Sequence, residues 1–166
     1  MGKKSKENKT NVMRILDRAK ISYEARSYED TDVEDSHYYG ATVARSLGED
    51  PKTVYKTLVT EGKSREHYVF VIPAEEELDL KAAARSVGEK SVEMIHVKDI
   101  NKVTGYIRGG CSPIGMKKQF TTVIDRSAEG LPAIHISGGK RGTQILLNPK
   151  DLAGLIHASF DDITMK

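Results

Sequence analysis

The stretch Thr104–Lys118, TGYIRGGCSPIGMKK, gathers the residue types from which a ligand cradle is built. It holds four of the 14 glycines (Gly105, Gly109, Gly110, Gly115), one of the five prolines, Pro113, and the only cysteine, Cys111. Glycine lets the backbone take positive φ and approach a ligand closely. Proline fixes a turn and removes one donor. Such a loop predicts exposed N–H groups at Gly110, Cys111, Ser112 and Gly115, with Arg108, Lys117 and Lys118 on its flanks. Those are the parts of a cradle for a carbonyl oxygen or a phosphate. The same pattern also describes a plain glycine-rich turn between two strands, and composition alone does not separate the two.

A second basic glycine loop, SGGKRG, runs from Ser137 to Gly142. It is not a P-loop, because the upstream glycine would fall at Ile134 and Arg141 stands where Ser or Thr is required. Lys56 is the other residue of note. Val54–Thr60 reads as a strand, and alternation sets Lys56 with Val54 and Leu58, opposite Tyr55, Thr57 and Val59. An ammonium group in the middle of an apolar strand either serves a site or snorkels to water from a strand edge. Cys111 has two readings as well. It is a thiolate nucleophile activated by backbone dipoles and Arg108, or a small residue that fits the turn. No histidine lies near it in sequence.

Other chemistry is excluded. His37, His67, His96, His135 and His157 show no metal-ligand spacing, and one cysteine does not make a structural zinc site. Asp30, Asp32 and Glu34 imitate the start of a calcium loop, but Asp35 holds the glycine position and no Glu follows at position twelve. There is no GxSxG elbow and no GxGxxG opening a helix after a strand. The reading is therefore no metal and no cofactor.

The elements that must hold these residues alternate along 166 residues, enough for one domain with a real core. Met1–Lys9 predicts a flexible basic arm. From Thr10 an amphipathic helix follows, with Val12, Ile15, Leu16 and Ala19 on one face. Ile21–Tyr28 reads as a strand, Glu29–Ser36 as an acidic loop closed by Tyr38 and Tyr39, and Ala41–Leu47 as a short helix. Val54–Thr60 and His67–Pro73 predict paired strands, the second central and buried on both faces. Leu78–Val87 reads as a helix stopped by Gly88. Ser91–Ile95, Thr121–Asp125, Ala133–Ser137 and Gln144–Leu147 read as strands, Lys98–Val103 as one helical turn, and Pro149–Ala158 as a helix capped by Asn148. Hairpins among interleaved helices predict a single α+β domain with a mixed, mostly antiparallel, partly closed sheet. The two glycine loops then lie at strand ends, as one shared pocket requires. No apolar run reaches the length of a membrane span, MGKKSKENK has no apolar leader segment, and a cytoplasmic protein is the expectation. A net charge of +2 does not demand a nucleic-acid partner and does not exclude one.

Four motifs in order and register add a resemblance. YKTL (Tyr55–Leu58), LDLKAAA (Leu78–Ala84), TGYIRGGCSPIG (Thr104–Gly115) and SGGKRG (Ser137–Gly142) resemble the YbaK/EbsC-type aminoacyl-tRNA deacylases, especially the bacterial Cys-tRNA(Pro) deacylases. The resemblance covers Thr10 to about the C-terminus. It implies a mixed α/β domain related to the editing insertion of prolyl-tRNA synthetase. It implies hydrolysis of a wrong amino acid from tRNA(Pro), in trans, with prolyl-tRNA synthetase as a partner. The family's essential lysine falls on Lys56 and its GxxxP loop on Gly109–Pro113, so that Gly109, Gly110, Cys111 and Ser112 stand with Lys56 as the catalytic set. Its pocket aromatics fall on Tyr28 and Tyr39, and its Ser-Gly on Ser137 and Gly138. Thr57 and Pro113 complete the substrate-binding set. One position departs, since relatives often carry Asp where this chain has Gln144.

With no protein nucleophile evident, the attacking group is water or the substrate. The resemblance favours a cysteinyl thiol attacking its own carbonyl. An opposing reading is a non-catalytic module that binds tRNA or the synthetase; another is a deacylase for a different small amino acid such as alanine.

Overall fold

Among the described residues, eight short strands and four helices are laid down by strong local signals at their ends. The computed structural model describes residues 9–28 and 50–165. Helix α1 (Asn11–Arg18) begins where the Thr10 hydroxyl accepts the Met13 N–H at 3.3 Å, and it buries Val12, Met13 and Leu16. Strand β1 (Glu24–Ser27) follows. Asp50 caps a 3-10 turn, Pro51–Thr53, that delivers the chain into β2 (Tyr55–Gly62) and, after a hairpin, β3 (His67–Pro73). Asp79 caps helix α2 (Leu80–Val87), and Gly88 ends it at φ 74. Then come β4 (Val92–Met94), a 3-10 turn Val97–Asp99, and α3 (Ile100–Thr104). The last third is β5 (Thr121–Asp125), β6 (Ile134–Ser137), β7 (Thr143–Leu147), α4 (Pro149–Ile156) capped by Asn148, and β8 (Ser159–Asp161).

The strands form two sheets, one of five strands in the order β4-β2-β3-β5-β8 and one of three in the order β1-β7-β6. Only β3–β5 and β5–β8 are parallel pairs, so the α+β, mixed and mostly antiparallel expectation holds. The sheet is not closed, however. The two sheets meet at one parallel bridge, Val54–His135. β2 gives one edge to β3 along its length and the far end of the other edge, residues 60–62, to β4. Residues 55–59 of that edge form no ladder with β6, and one bridge at Val54 does not close a barrel.

Strand β3 is central and its residues 69–73 are buried, as its apolar run predicts. One face of the large sheet, with Tyr55, Val71 and Ile124, packs on Ile134, Ile136 and Ile145 of the small sheet and on α1. The other face, with Phe70, Ile72 and Val123, packs on Ala83 and Ala84 of α2. All of the predicted arm Met1–Lys9 except Lys9, together with the acidic loop, Tyr38, Tyr39 and the predicted helix at residues 41–47, lies outside the described residues.

Candidate functional site

The glycine-rich stretch is a closed loop with a pinned base. The Lys117 N–H donates to the Thr104 carbonyl at 3.0 Å, and the Tyr106 N–H donates to the Thr104 hydroxyl at 3.0 Å. The Tyr106 phenol reaches across to donate to the Ile114 carbonyl, and Ile114 itself is sunk in the core. Gly109 and Gly115 take φ of 87 and 80, the left-handed conformation that the turn needs. The loop is thus held from inside before any ligand arrives.

Its exposed groups differ from the expected set. The Gly110 N–H is spent on the Ile107 carbonyl at 3.0 Å, because the chain reverses there in a tight turn. Ser112 is fully buried, and its hydroxyl accepts the Ile114 N–H at 3.3 Å. Of the expected donors, the N–H groups of the half-buried Cys111 and Gly115 find no acceptor among the described residues and remain for a ligand, while that of Ser112 is covered by the fold. Pro113 is buried beside them.

The two glycine loops do meet. A Cβ placed on Gly110 would lie 3.0 Å from the Lys140 Cα and 3.1 Å from the Arg141 nitrogen. One on Gly109 would lie 3.2 Å from the Arg141 stem. Within the second loop, the Ser137 hydroxyl accepts the Gly139 N–H at 3.3 Å and the Gly138 N–H donates to the Thr143 carbonyl at 2.9 Å. Tyr28 is tied to the same place, its N–H donating to the Gly142 carbonyl at 3.0 Å. So Tyr28, Gly109, Gly110, Ser137 and Gly138 form one neighbourhood, built from residues far apart in the chain.

Lys56 lies in the strand that follows the junction of the two sheets: the parallel Val54–His135 bridge falls two residues before Lys56 on one side and two before Ser137 on the other. Lys56 opposes Ile72 across the β2–β3 ladder and is half-buried. Burial pulls its ammonium below the usual lysine value, and the carboxylates of Glu77 and Glu76 offset part of that pull. Thr57 does not join it. It opposes Val71 on the other face, where its hydroxyl is buried without a partner. Gln144 sits opposite Ser137 in the β6–β7 ladder and opposite Arg26 in β1, 3% exposed, with Oε1 unpartnered among the described residues. Tyr106 and Arg141, which hold and wall the cradle, were not singled out from sequence. An aromatic inside a glycine loop was the available signal for Tyr106.

Cys111 does not have the electrostatics of a nucleophile. Burial pushes its thiol up to about 11, against a hydrogen bond from Thr104 that acts the other way. At neutral pH it is a neutral, poorly nucleophilic thiol. Cys111→Ala is therefore expected to keep wild-type turnover, and the native thiol is expected to react slowly with iodoacetamide at pH 7.5. A folded but dead Cys111→Ala protein would restore the thiolate reading.

Among the described residues no three His, Cys, Asp or Glu side chains gather as a metal-holding group, and no helix is long and apolar enough to cross a membrane.

Comparison with known proteins gives four findings. The aminoacyl-tRNA editing domain family matches residues 36–155. A protein of Enterococcus faecalis, provisionally named a Cys-tRNA(Pro)/Cys-tRNA(Cys) deacylase EbsC, is 48% identical over 166 residues, covering 100% of this chain and 99% of its own. The prolyl-tRNA editing protein ProX of Acetoanaerobium sticklandii is 22% identical over 157 residues, 91% of this chain and 92% of its own. Among solved structures, one provisionally described as a trans-editing enzyme for prolyl-tRNA synthetase shares the fold, with a TM-score of 0.76 at 21% identity over 95% of this chain and 99% of that one.

Proposed function

The chain belongs to the aminoacyl-tRNA editing family, and on that premise we propose that it removes a wrong amino acid, cysteine above others, from mischarged tRNA(Pro). The bond cleaved is the ester at the tRNA 3′ end. The protein acts in trans, alongside prolyl-tRNA synthetase. The observation that carries this reading is the seating of Gly110 against Lys140 and Arg141. It brings two basic glycine loops together, and an acyl group and a terminal phosphate can be held side by side against them.

The roles follow from the chemistry of an ester. As the carbonyl is attacked, its oxygen gains negative charge, and donors aimed at that oxygen lower the barrier. The Cys111 N–H fills that role, with Gly109, Gly110 and the buried Ser112 shaping the turn that presents it. Lys56 supplies positive charge to a ribose oxygen, a phosphate or the developing anion. Tyr28 and Tyr39 stack on the terminal adenine or wall the side-chain pocket. Ser137 and Gly138 complete the binding surface, with Pro113 packed beneath the turn.

The nucleophile is the substrate's own thiol. Its sulfur attacks the carbonyl carbon, the ester C–O bond breaks, and the thiol proton passes to the departing 3′-oxygen. The products are free tRNA and a cyclic thioester, which water then opens to cysteine. Discrimination by shape alone yields only ~1–3 kcal/mol per small group, so chemistry that needs a thiol supplies the rest.

Single-turnover assays on cysteinyl- and alanyl-tRNA(Pro) test this. Cysteinyl ester is expected to be released well above the uncatalysed rate and alanyl ester close to it. Equal acceleration of both would remove the thiol from the mechanism. Release of both at the uncatalysed rate would leave a module that only binds tRNA or the synthetase.

A further inference from the structure

The positive charge of this chain is concentrated in two short segments. Residues 98–118 carry Lys98, Lys102, Arg108, Lys117 and Lys118 against the single carboxylate of Asp99, and residues 138–142 add Lys140 and Arg141 with no carboxylate. Seven cations against one anion is +6, while the whole chain is +2, so the remaining residues carry −4. The fold joins these segments into one band. Lys117 Nζ donates to the Lys102 carbonyl at 3.3 Å, the Lys117 stem lies against Gly105, and Gly110 rests on Lys140 and Arg141. Lys118 Nζ stands 6.0 Å from the centre of the Phe120 ring.

The side chains of Lys98, Lys102, Lys117, Lys118 and Lys140 are exposed, and none has an ion-pair partner among the described residues. The band ends at Lys102, on the rim of a groove that also carries Glu61, Glu93, Asp99, Lys63 and Arg65, where the two signs of charge are mixed. A stripe of exposed lysines that starts at α3 and ends with Lys140 beside the proposed acyl cradle suits a polyanion entering the cradle lengthwise.

We infer that this band is the docking surface for the phosphate backbone of the tRNA acceptor end. That the polyanion is tRNA rests on the deacylase reading above; that it is an RNA backbone rests on the charge and its placement. Lys98 and Lys102 lie farthest from the cradle in sequence, so they report on docking and not on the reaction.

The test is Lys98→Gln with Lys102→Gln, both at exposed positions, checked for an unchanged Tm. Binding of uncharged tRNA(Pro) is followed by fluorescence anisotropy between 50 and 200 mM salt. Two lost phosphate contacts should weaken binding about tenfold at low salt and flatten the slope of log Kd against log salt by about two. KM for the charged tRNA should rise in parallel, with hydrolysis of a small 3′-aminoacyl-adenosine unchanged. Wild-type affinity and slope in the variant would overturn the assignment. So would a wild-type protein that binds no RNA at 50 mM salt, which would leave an acidic protein as the partner of the band. A wild-type protein that binds RNA through the band but cleaves neither substrate would defeat the deacylase reading and keep the docking surface.

Discussion

Replacing Lys56 with methionine is expected to abolish measurable deacylation while leaving the protein as stable as wild type or more so. The two halves have one cause. Lys56 is half-buried in β2 opposite Ile72, and burial lowers its proton affinity. Keeping an ammonium there opposes folding, and the neighbouring carboxylates of Glu76 and Glu77 are exposed and keep their hydration without it. A methionine of similar length removes the charge and fits the apolar company. Loss of a charge aimed at a developing anion typically slows such a reaction on the order of 10²–10³-fold.

The pH dependence has a definite sign. A lysine whose folded pKa lies below its unfolded value of 10.5 weakens the fold at every pH below the folded pKa, and that weakening fades as pH rises to 10.5. The stability gain of Lys56→Met should therefore be present at neutral pH and shrink in alkali. Wild-type activity, corrected for spontaneous ester hydrolysis, should fall on its alkaline side with a midpoint below 10.5. Single-turnover rates and thermal melts between pH 7 and 10 check both. A Lys56→Met protein with wild-type rates would take Lys56 out of the mechanism.

Gly110→Val should be the most damaging change in the cradle. Its first added atom already meets backbone, the Lys140 Cα at 3.0 Å and the Lys140 carbonyl carbon at 3.2 Å, and backbone cannot rotate aside. The two loops must separate, which costs about 1–3 kcal/mol as overpacking usually does. Reacting groups moved by about 1 Å lose on the order of 10²-fold in rate. Gly130→Ala is the control, since a Cβ there meets nothing within 4 Å. If Gly110→Val matched the control in rate and Tm, the loops would not be acting as one site.

Much of this was legible in the chain. The apolar run of β3, the Asp79 and Gly88 signals around α2, and the pairing of β2 with β3 are short-range patterns that burial does not override. Strand β8 was not legible. It is three residues long with one apolar side chain, Phe160, and it is a strand only because β5 pairs with it. Strand β1 is shorter than its pattern because its pairing with β7 runs only from Glu24 to Ser27. Within the site, the glycines and the mid-strand lysine could be read from residue type. What each turn does with its N–H groups could not, because the Gly110 bond to Ile107 is a matter of local dihedrals. Nor could the clamp of Tyr106 on Ile114, whose partner is a backbone carbonyl that any residue would offer.

The single bridge between the two sheets has a further consequence. Ladder hydrogen bonds scarcely join the two sheets, so the apolar layer they share, Tyr55, Val71 and Ile124 against Ile134, Ile136 and Ile145, keeps them in one unit. The relative position of Lys56 and the second glycine loop is therefore set by side-chain packing, and a void opened in that layer would be felt at the site.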